Sequence, residues 1–83
     1  MRIHIRLAEP FWRTVGKREF SHELTKGACV KDLISELRER YPDLSIEMEE
    51  IPPVIFVGEE EARDETRLED DDHVYLVWPI AGG

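Results

Sequence analysis

The residues best suited to chemistry stand at the end of the sequence, where Gly82 and Gly83 follow Pro79-Ile80-Ala81. Glycine has no Cβ to block a close approach, and it adopts backbone dihedrals that are closed to other residues. A terminal Gly-Gly therefore presents a bare carboxylate that a narrow active site can enclose. This pattern favours a tail that serves as the substrate of another protein. The alternative is a frayed terminus or a glycine-rich cloning remnant without function.

Cys29 is the single cysteine of the chain, so no intrachain disulfide is expected. It directly precedes a predicted helix, and a thiol at a helix N-terminus can act as a nucleophile. No spaced histidine or basic residue accompanies it. We therefore interpret Cys29 as a small, partly buried residue at the helix cap.

The other candidate groups are histidines and acidic runs. His4, His22 and His73 stand singly on predicted strands, without the paired spacing of zinc sites, and we expect them on a solvated face. The acidic runs 59–61 and 69–72 are contiguous, so their carboxylates cannot all converge on one cation. They read as solvated turns that could dock a basic partner. The sequence therefore predicts no metal site and no catalytic residue of its own.

Length and charge limit the function classes. A chain of 83 residues forms one domain with little room for an enclosed active site. Its net charge of -8 repels phosphate backbones, so nucleic acid is not an expected partner. The longest apolar run, Val54 to Val57, is too short to span a membrane. No charged and apolar leader precedes Ile3, which predicts a cytoplasmic protein without a membrane partner.

The elements that must position the tail begin with two strands. Met1 to Leu7 alternates apolar and polar residues with the period of a half-buried strand. Ala8 to Lys17 contains Pro10 and Gly16 and is predicted to be a long hairpin loop. Arg18 to Leu24 resumes the alternation and should pair antiparallel with the first strand.

A helix follows the two strands. Its apolar stripe comprises Val30, Leu33, Ile34, Leu37 and Tyr41. Cys29 occupies the N-cap position, and Asp32 is placed three residues later to accept the N–H of the cap. Pro42 is predicted to end the helix, because proline restricts the residue before it.

The second half of the chain supplies the remaining strands. Asp43 to Pro53 mixes apolar and acidic residues and is predicted to be an irregular segment that crosses the sheet edge. Val54 to Val57 is a continuous β-branched and aromatic run typical of a buried strand, and Gly58 turns it into the short acidic segment Glu59 to Arg63. Val74 to Trp78 has apolar residues that face both ways, which predicts a strand in the middle of the sheet.

This order of strands and helix is typical of an α+β domain, but periodicity alone does not select one topology. Three motifs narrow the choice: Val-Ile-Phe-Val-Gly at 54–58, Leu68 before an acidic turn, and the closing segment His-Val-Tyr-Leu-Val-Trp-Pro-Ile-Ala-Gly-Gly at 73–83. Together they resemble MoaD, the small sulfur-carrier subunit of molybdopterin synthase, and its relative ThiS. Val57 and Asp71 depart from the family pattern, although Asp tolerates the positive φ of the Gly that is common there.

The resemblance implies a ubiquitin-like β-grasp fold: a mixed sheet of four to five strands packed on one helix, with a protruding Gly-Gly tail. The domain would cover residues 1–79 and the flexible tail residues 80–83. The family's chemistry implies that an adenylating enzyme related to ubiquitin-activating enzymes uses ATP to activate Gly83. The carboxylate would become a thiocarboxylate that donates sulfur in molybdopterin biosynthesis. This chain would bind no cofactor itself.

The resemblance also implies the residues that partners recognise. Pro79, Ile80, Ala81 and Gly82 would lead the reactive Gly83 into the partner's active site. That partner is the adenylating enzyme or, later, a large synthase subunit or another sulfur acceptor.

An apolar patch beside the tail is a second predicted contact. If Val74 and Leu76 face the helix, Tyr75 and Val77 lie on the open sheet face and form a partner face. A partly covered sheet face is the alternative.

Two other functions stay open at this point. A ubiquitin-like modifier would use the same activated Gly83 but transfer it to lysines of other proteins. A non-covalent β-grasp interaction module would not use the carboxylate at all. The sequence decides neither the sulfur-accepting pathway nor the oligomeric state.

Overall fold

The computed structural model describes residues 1–79, and the residues 80–83 predicted to form a protruding, flexible tail lie outside this part. In chain order the elements are β1 (Arg2–Leu7), α1 (Phe11–Val15), β2 (Glu19–Glu23), α2 (Val30–Arg40), α3 (Pro42–Glu50), β3 (Val54–Val57), β4 (Glu60–Glu61) and β5 (His73–Val77). The five strands form one sheet in the order β2-β1-β5-β3-β4. β1 and β5 run parallel and the other neighbours antiparallel. The predicted mixed sheet of a β-grasp fold is confirmed.

The core forms between the sheet and α2, as the two periodicities predict. Alternate residues of β1 and β5 point to the helix and are 3% exposed or less: Ile3, Ile5, Leu7, Val74 and Leu76. The predicted stripe of α2 faces them, with Leu33 and Leu37 fully buried. Apolar burial on this side of the sheet is therefore the main force that holds the two ends of the chain together.

The segment Ala8 to Lys17 is not the predicted hairpin loop throughout, because it contains the short helix α1. Pro10 precedes this helix at its N-cap, and Gly16 ends it with a φ of 93° and an N–H that donates to the Trp12 carbonyl at 2.8 Å. The two residues interpreted as loop signals are therefore the start and stop of a helical turn. Phe11 is fully buried, so tertiary packing stabilises a helix too short to form alone.

The segment Asp43 to Pro53 is largely helical, which corrects the predicted irregular crossing. Pro42 was predicted to end α2, and it also begins α3. The N–H of the first helical residue has no partner within the helix, so a proline, which lacks this group, fits there without loss of a hydrogen bond. Leu44 and Met48 are buried one helical turn apart, whereas Ile46 is 58% exposed. This exposed isoleucine interrupts the simple apolar stripe, which is why the pattern did not indicate a helix.

The N-terminus of α2 is capped as predicted. The Asp32 carboxylate accepts the Cys29 backbone N–H at 2.9 Å and the Cys29 thiol at 3.3 Å. Both hydrogen bonds lower the pKa of Asp32 below its ordinary value, and the bond from the backbone N–H has the larger effect. The helix therefore begins with a charged acceptor at the positive end of its dipole.

We predict that Cys29→Thr stabilises the protein by up to about 1 kcal/mol, because a hydroxyl caps a helix better than a thiol. The extended backbone of Cys29, with φ of -114° and ψ of 178°, suits a β-branched residue. Urea denaturation midpoints measure the change, with Cys29→Ala as the matched control that lacks a polar cap atom. A midpoint for the threonine variant at or below that of the wild type would contradict the prediction, and the alanine variant should have the lowest midpoint of the three.

β3 is half-buried along its length rather than fully buried as predicted. Its outer edge is covered only by the two residues of β4 and by Ala62, whose N–H donates to the Ile55 carbonyl at 2.7 Å, among the described residues. The turn before β5 matches its prediction: Asp71 has a φ of 68°, and its N–H donates to the Arg2 carbonyl at 2.8 Å. No helix in residues 1–79 has the length and apolar character needed to cross a membrane.

Candidate functional site

The end of β5 fixes where the chain leaves the domain. β5 is the central strand, and its residues Leu76 and Val77 pair with β1 and β3. The Ala8 N–H donates to the Leu76 carbonyl at 3.0 Å, one step beyond the β1 strand. Trp78 then packs against the buried Phe11, with ring centroids 5.7 Å apart. Strand pairing therefore holds the chain up to Val77, and the contact with Phe11 holds Trp78, the residue before Pro79.

The predicted reactive segment starts where this support ends. Pro79 is the last described residue and is half-buried. Ile80, Ala81, Gly82 and Gly83 lie outside the described residues, as does their predicted flexibility. Their roles therefore stay predictions, and the structure contributes the platform from which they extend.

Tyr75 and Val77 lie on the sheet face away from α2, as their alternation with the buried Val74 and Leu76 predicts. β3 places two more apolar residues on the same face, because Val54 lies opposite Val77 and Phe56 opposite Tyr75. We call these four half-buried residues the open-face patch: Tyr75, Val77, Val54 and Phe56. The sequence did not reveal the two residues of β3, since a continuously apolar strand does not show which side faces outward.

The histidines divide between the two faces. His4 and His73 stack on the open face with ring centroids 4.7 Å apart, and His4 Nε2 lies 3.1 Å from Asp71 Oδ1. His22 does not match its predicted solvated position. Its side chain is only 9% exposed, and Nε2 lies 2.8 Å from Glu36 Oε1 on α2. The register explains this position, because His22 pairs directly with the inward-facing Ile3.

A cluster of basic and aromatic side chains that no sequence pattern predicted surrounds α1 and the start of β2. The distances from cation to ring centroid are 5.0 Å for Arg6 over Tyr75, 5.1 Å for Arg13 over Trp12, 5.4 Å for Lys17 over Phe20 and 4.4 Å for Arg18 over Trp12. We call five of these residues the basic-aromatic patch: Arg6, Trp12, Arg13, Arg18 and Tyr75. Lys17 and Phe20 lie apart from it, because Phe20 pairs with the inward-facing Ile5 and packs on Tyr41 on the α2 side of the sheet. The only linear signal was the basic run from residue 13 to residue 18.

Two carboxylates neutralise part of this patch. Arg13 Nη2 donates to Glu9 Oε1 at 2.9 Å, and the hydrogen bond and charge of Arg13 lower the pKa of Glu9. Arg6 Nε lies 3.5 Å from Glu19 Oε1. Within residues 1–79, no ion pair of 4 Å or less involves Lys17 or Arg18. Arg18 is therefore the cation of the patch without an ion pair in the described residues, and its charge acts on the nearby Glu9 carboxylate more weakly than that of Arg13.

The acidic turn at 69–72 is a hydrogen-bonded strand connection. Asp70 Oδ1 accepts the Arg2 N–H at 2.7 Å, and Asp72 Oδ2 accepts the Glu69 N–H at 2.8 Å. Across the described part of the chain, no three His, Cys, Asp or Glu side chains are arranged to hold a metal ion. The acidic side chains of this turn therefore fix the backbone that leads into β5.

A five-stranded mixed sheet with its last strand in the centre, parallel to the first, defines a ubiquitin-like β-grasp protein. The ThiS family model matches residues 5–83, so the chain belongs to the ThiS family. The predicted membership in the MoaD/ThiS group of ubiquitin-like carrier proteins is thereby confirmed. No curated protein matches the sequence significantly.

Solved structures agree with this assignment. SAMP1 from Haloferax volcanii superposes with a TM-score of 0.86 at 18% identity, and 100% of each chain is covered. The putative molybdopterin converting factor subunit 1 from Pyrococcus furiosus superposes with a TM-score of 0.84 at 23% identity, with 96% of this chain and 99% of that chain covered. Subunits 1 and 2 of molybdopterin-converting factor from Helicobacter pylori form a complex. One chain of that complex superposes with a TM-score of 0.71 at 21% identity, and the match covers 100% of this chain and 100% of that chain. At these identities the likeness shows the fold.

Proposed function

We propose that this protein is a sulfur carrier whose Gly83 carboxylate is adenylated by a separate enzyme and converted to a thiocarboxylate. The observation that carries the proposal is the family match, which runs through Gly83 and thus includes the whole Pro79 to Gly83 segment. The central position of β5 supports it, because a strand held on both sides presents the following residues in a defined direction. We place this reaction in the cytoplasm, where ATP is available.

The chemistry requires activation because a carboxylate is a poor electrophile. The enzyme transfers AMP from ATP to a Gly83 oxygen and releases pyrophosphate, which forms an acyl adenylate. A sulfur nucleophile then attacks the acyl carbon, and AMP leaves with the oxygen. With hydrosulfide as the donor, the product is the thiocarboxylate and one proton is released. The folded part of this chain supplies no catalytic group and acts by binding and positioning.

We further propose molybdopterin biosynthesis as the pathway and a large synthase subunit as the acceptor. The support is the similarity to subunit 1 of molybdopterin-converting factor, which the Helicobacter pylori structure shows together with subunit 2. The open-face patch, with Tyr75 and Val77 at its centre, would contact this acceptor. Four fully extended residues span at most about 14 Å, so a partner that receives Gly83 must lie against the surface near Pro79.

The test is to incubate the full chain with the adenylating enzyme from the same genome, ATP and sulfide. Intact-mass measurement should show the replacement of one oxygen by sulfur, and fragmentation should place the change on Gly83. Cys29→Ser is the matched control, and it should gain the same mass change. A change confined to Cys29 would contradict the proposal.

A second candidate is a protein modifier, because small archaeal modifier protein 1 of Haloferax volcanii shares the fold. A lysine amine would then attack the same acyl adenylate and form an isopeptide bond. Mass spectrometry of digested cell extracts distinguishes the two fates, since a modifier leaves its terminal glycines on lysines of other proteins. A non-covalent interaction module would give neither product.

A further inference from the structure

The basic-aromatic patch is unusual for a protein of this charge. The chain carries a net charge of -8, yet three of its eleven basic residues, Arg6, Arg13 and Arg18, lie over the two rings of this one patch. Their side chains are exposed, while Trp12 and Tyr75 are half-buried beneath them. Trp, Tyr and Arg are the residue types most enriched among the energetically dominant residues of protein interfaces. The composition therefore indicates a contact surface.

A depression within the patch has the form of a carboxylate site. It measures about 220 Å³ and is lined by Arg6, Leu7, Ala8, Glu9, Trp12, Arg18 and Tyr75. Arg18 has no ion-pair partner in residues 1–79, whereas Arg6 contacts Glu19 at 3.5 Å. A guanidinium over an aromatic ring keeps its in-plane N–H donors available for two parallel hydrogen bonds to a carboxylate. Glu9 occupies part of the rim and accepts a hydrogen bond from Arg13 at 2.9 Å. This bond and, to a smaller extent, the charge of Arg18 lower the pKa of Glu9, so a carboxylate of this chain already lies near Arg18.

The patch lies at the end of the sheet where the chain leaves the domain. Tyr75 belongs to β5 itself, and Ala8 bonds the Leu76 carbonyl. The helix that carries Trp12 also carries Phe11, which packs on Trp78. Because the residues after Pro79 reach at most about 14 Å, an enzyme that binds Gly83 must cover the surface at this end.

We propose that the basic-aromatic patch docks on an acidic surface of the adenylating enzyme, with one enzyme carboxylate seated between Arg18 and Arg6. This inference rests on the proposed function, since it takes the activation of Gly83 as given. The partner is a protein, because a net charge of -8 opposes long polyanions but permits a local contact with a few carboxylates. Such a contact sets both the orientation and the rate of encounter.

The test measures ATP–pyrophosphate exchange by the adenylating enzyme from the same genome at increasing concentrations of the full chain. Arg18→Glu should raise the KM for the carrier about tenfold and leave kcat unchanged, because the substitution affects docking and not the acyl transfer. Arg40→Glu is the matched control, since Arg40 is exposed on α2 and the net charge changes equally. Its KM should stay within about twofold of the wild-type value.

Ionic strength supplies an independent readout. The wild-type KM should rise as salt increases, and the KM of Arg18→Glu should not, because screening weakens only an attractive contact. If Arg18→Glu lowers the unfolding midpoint, Arg6→Glu takes its place in the same measurements. Equal KM values for the Arg18 and Arg40 variants would overturn the docking inference while the carrier function stands. If the wild-type chain is not adenylated, both the docking inference and the proposed carrier function are overturned. If an RNA binds the wild type but not Arg18→Glu, the partner of the patch is RNA and the docking inference is wrong.

Discussion

A chain that lacks Gly83 is expected to lose adenylation completely while its unfolding midpoint stays unchanged. Under the proposed function, the activating enzyme attaches AMP to a carboxylate at a fixed distance from Pro79, and the deletion draws that carboxylate back by about 3.5 Å. The described core does not depend on the last residue: Leu76 is fully buried, and Trp78 packs against Phe11. Exchange kinetics and chemical denaturation on the same preparation measure both quantities.

One alanine added after Gly83 makes the complementary variant, because every native residue is kept while the carboxylate moves outward and gains a methyl group. Activation should again be lost, since a groove shaped for glycine has no room for a Cβ. Undiminished activation of this alanine-extended chain would contradict both the carrier and the modifier functions. The non-covalent interaction module would then be the remaining hypothesis.

Leu37→Ala is expected to cause the largest loss of stability among the substitutions considered, about 2 to 5 kcal/mol. Leu37 is fully buried in the stripe of α2 that faces the sheet. Its truncation removes apolar contacts and leaves a cavity that the packed sheet cannot close. Since small domains have a total stability of only about 5 to 15 kcal/mol, the loss should be plain in urea denaturation.

The control for this prediction is Glu39→Ala, which should change stability by less than about 0.5 kcal/mol. Glu39 is exposed on the same helix and makes no ion pair in the described residues. Glu36 is a poorer control despite its similar position, because its carboxylate lies 2.8 Å from His22. Equal midpoints for the Leu37 and Glu39 variants would mean that α2 packs through another face.

The elements that the sequence predicted are those in which burial is periodic. Residues Ile3, Ile5 and Leu7 alternate with charged neighbours, and the stripe of α2 recurs every three or four residues, so each pattern has one structural solution. The positive φ of Asp71 followed instead from the family resemblance, in which Gly is common at that position and Asp is a tolerated replacement. Apolar residues on both faces of Val74 to Trp78 predicted the central place of β5. Its parallel pairing with β1 was seen only in the structure, because no pattern within a strand gives the direction of its neighbour.

The features that the sequence did not predict depend on contacts between distant segments. α1 is helical because Phe11 is buried against Trp78 at the end of β5. α3 buries one apolar face, but the exposed Ile46 breaks the apolar periodicity that would have indicated a helix. The basic-aromatic patch joins Arg6 to Tyr75, which become neighbours only through the β1–β5 pairing. For the candidate site, the terminal glycines predicted a carboxylate that another protein encloses, and the family resemblance implied the chemistry of Gly83. No pattern in the sequence predicted the surface around the point where the tail leaves the domain.

The central position of β5 also matters for protein synthesis. Before residues 73–77 emerge from the ribosome, the sheet consists of two separate ladders, β2 with β1 and β3 with β4, that share no strand. Isolated two-stranded ladders are marginally stable at best in water. The nascent domain therefore stays incomplete until the strand next to Pro79 has been translated. Chains that stop earlier would be unfolded and open to proteolysis, so nearly every folded molecule in the cell would already carry the strand that leads into the tail.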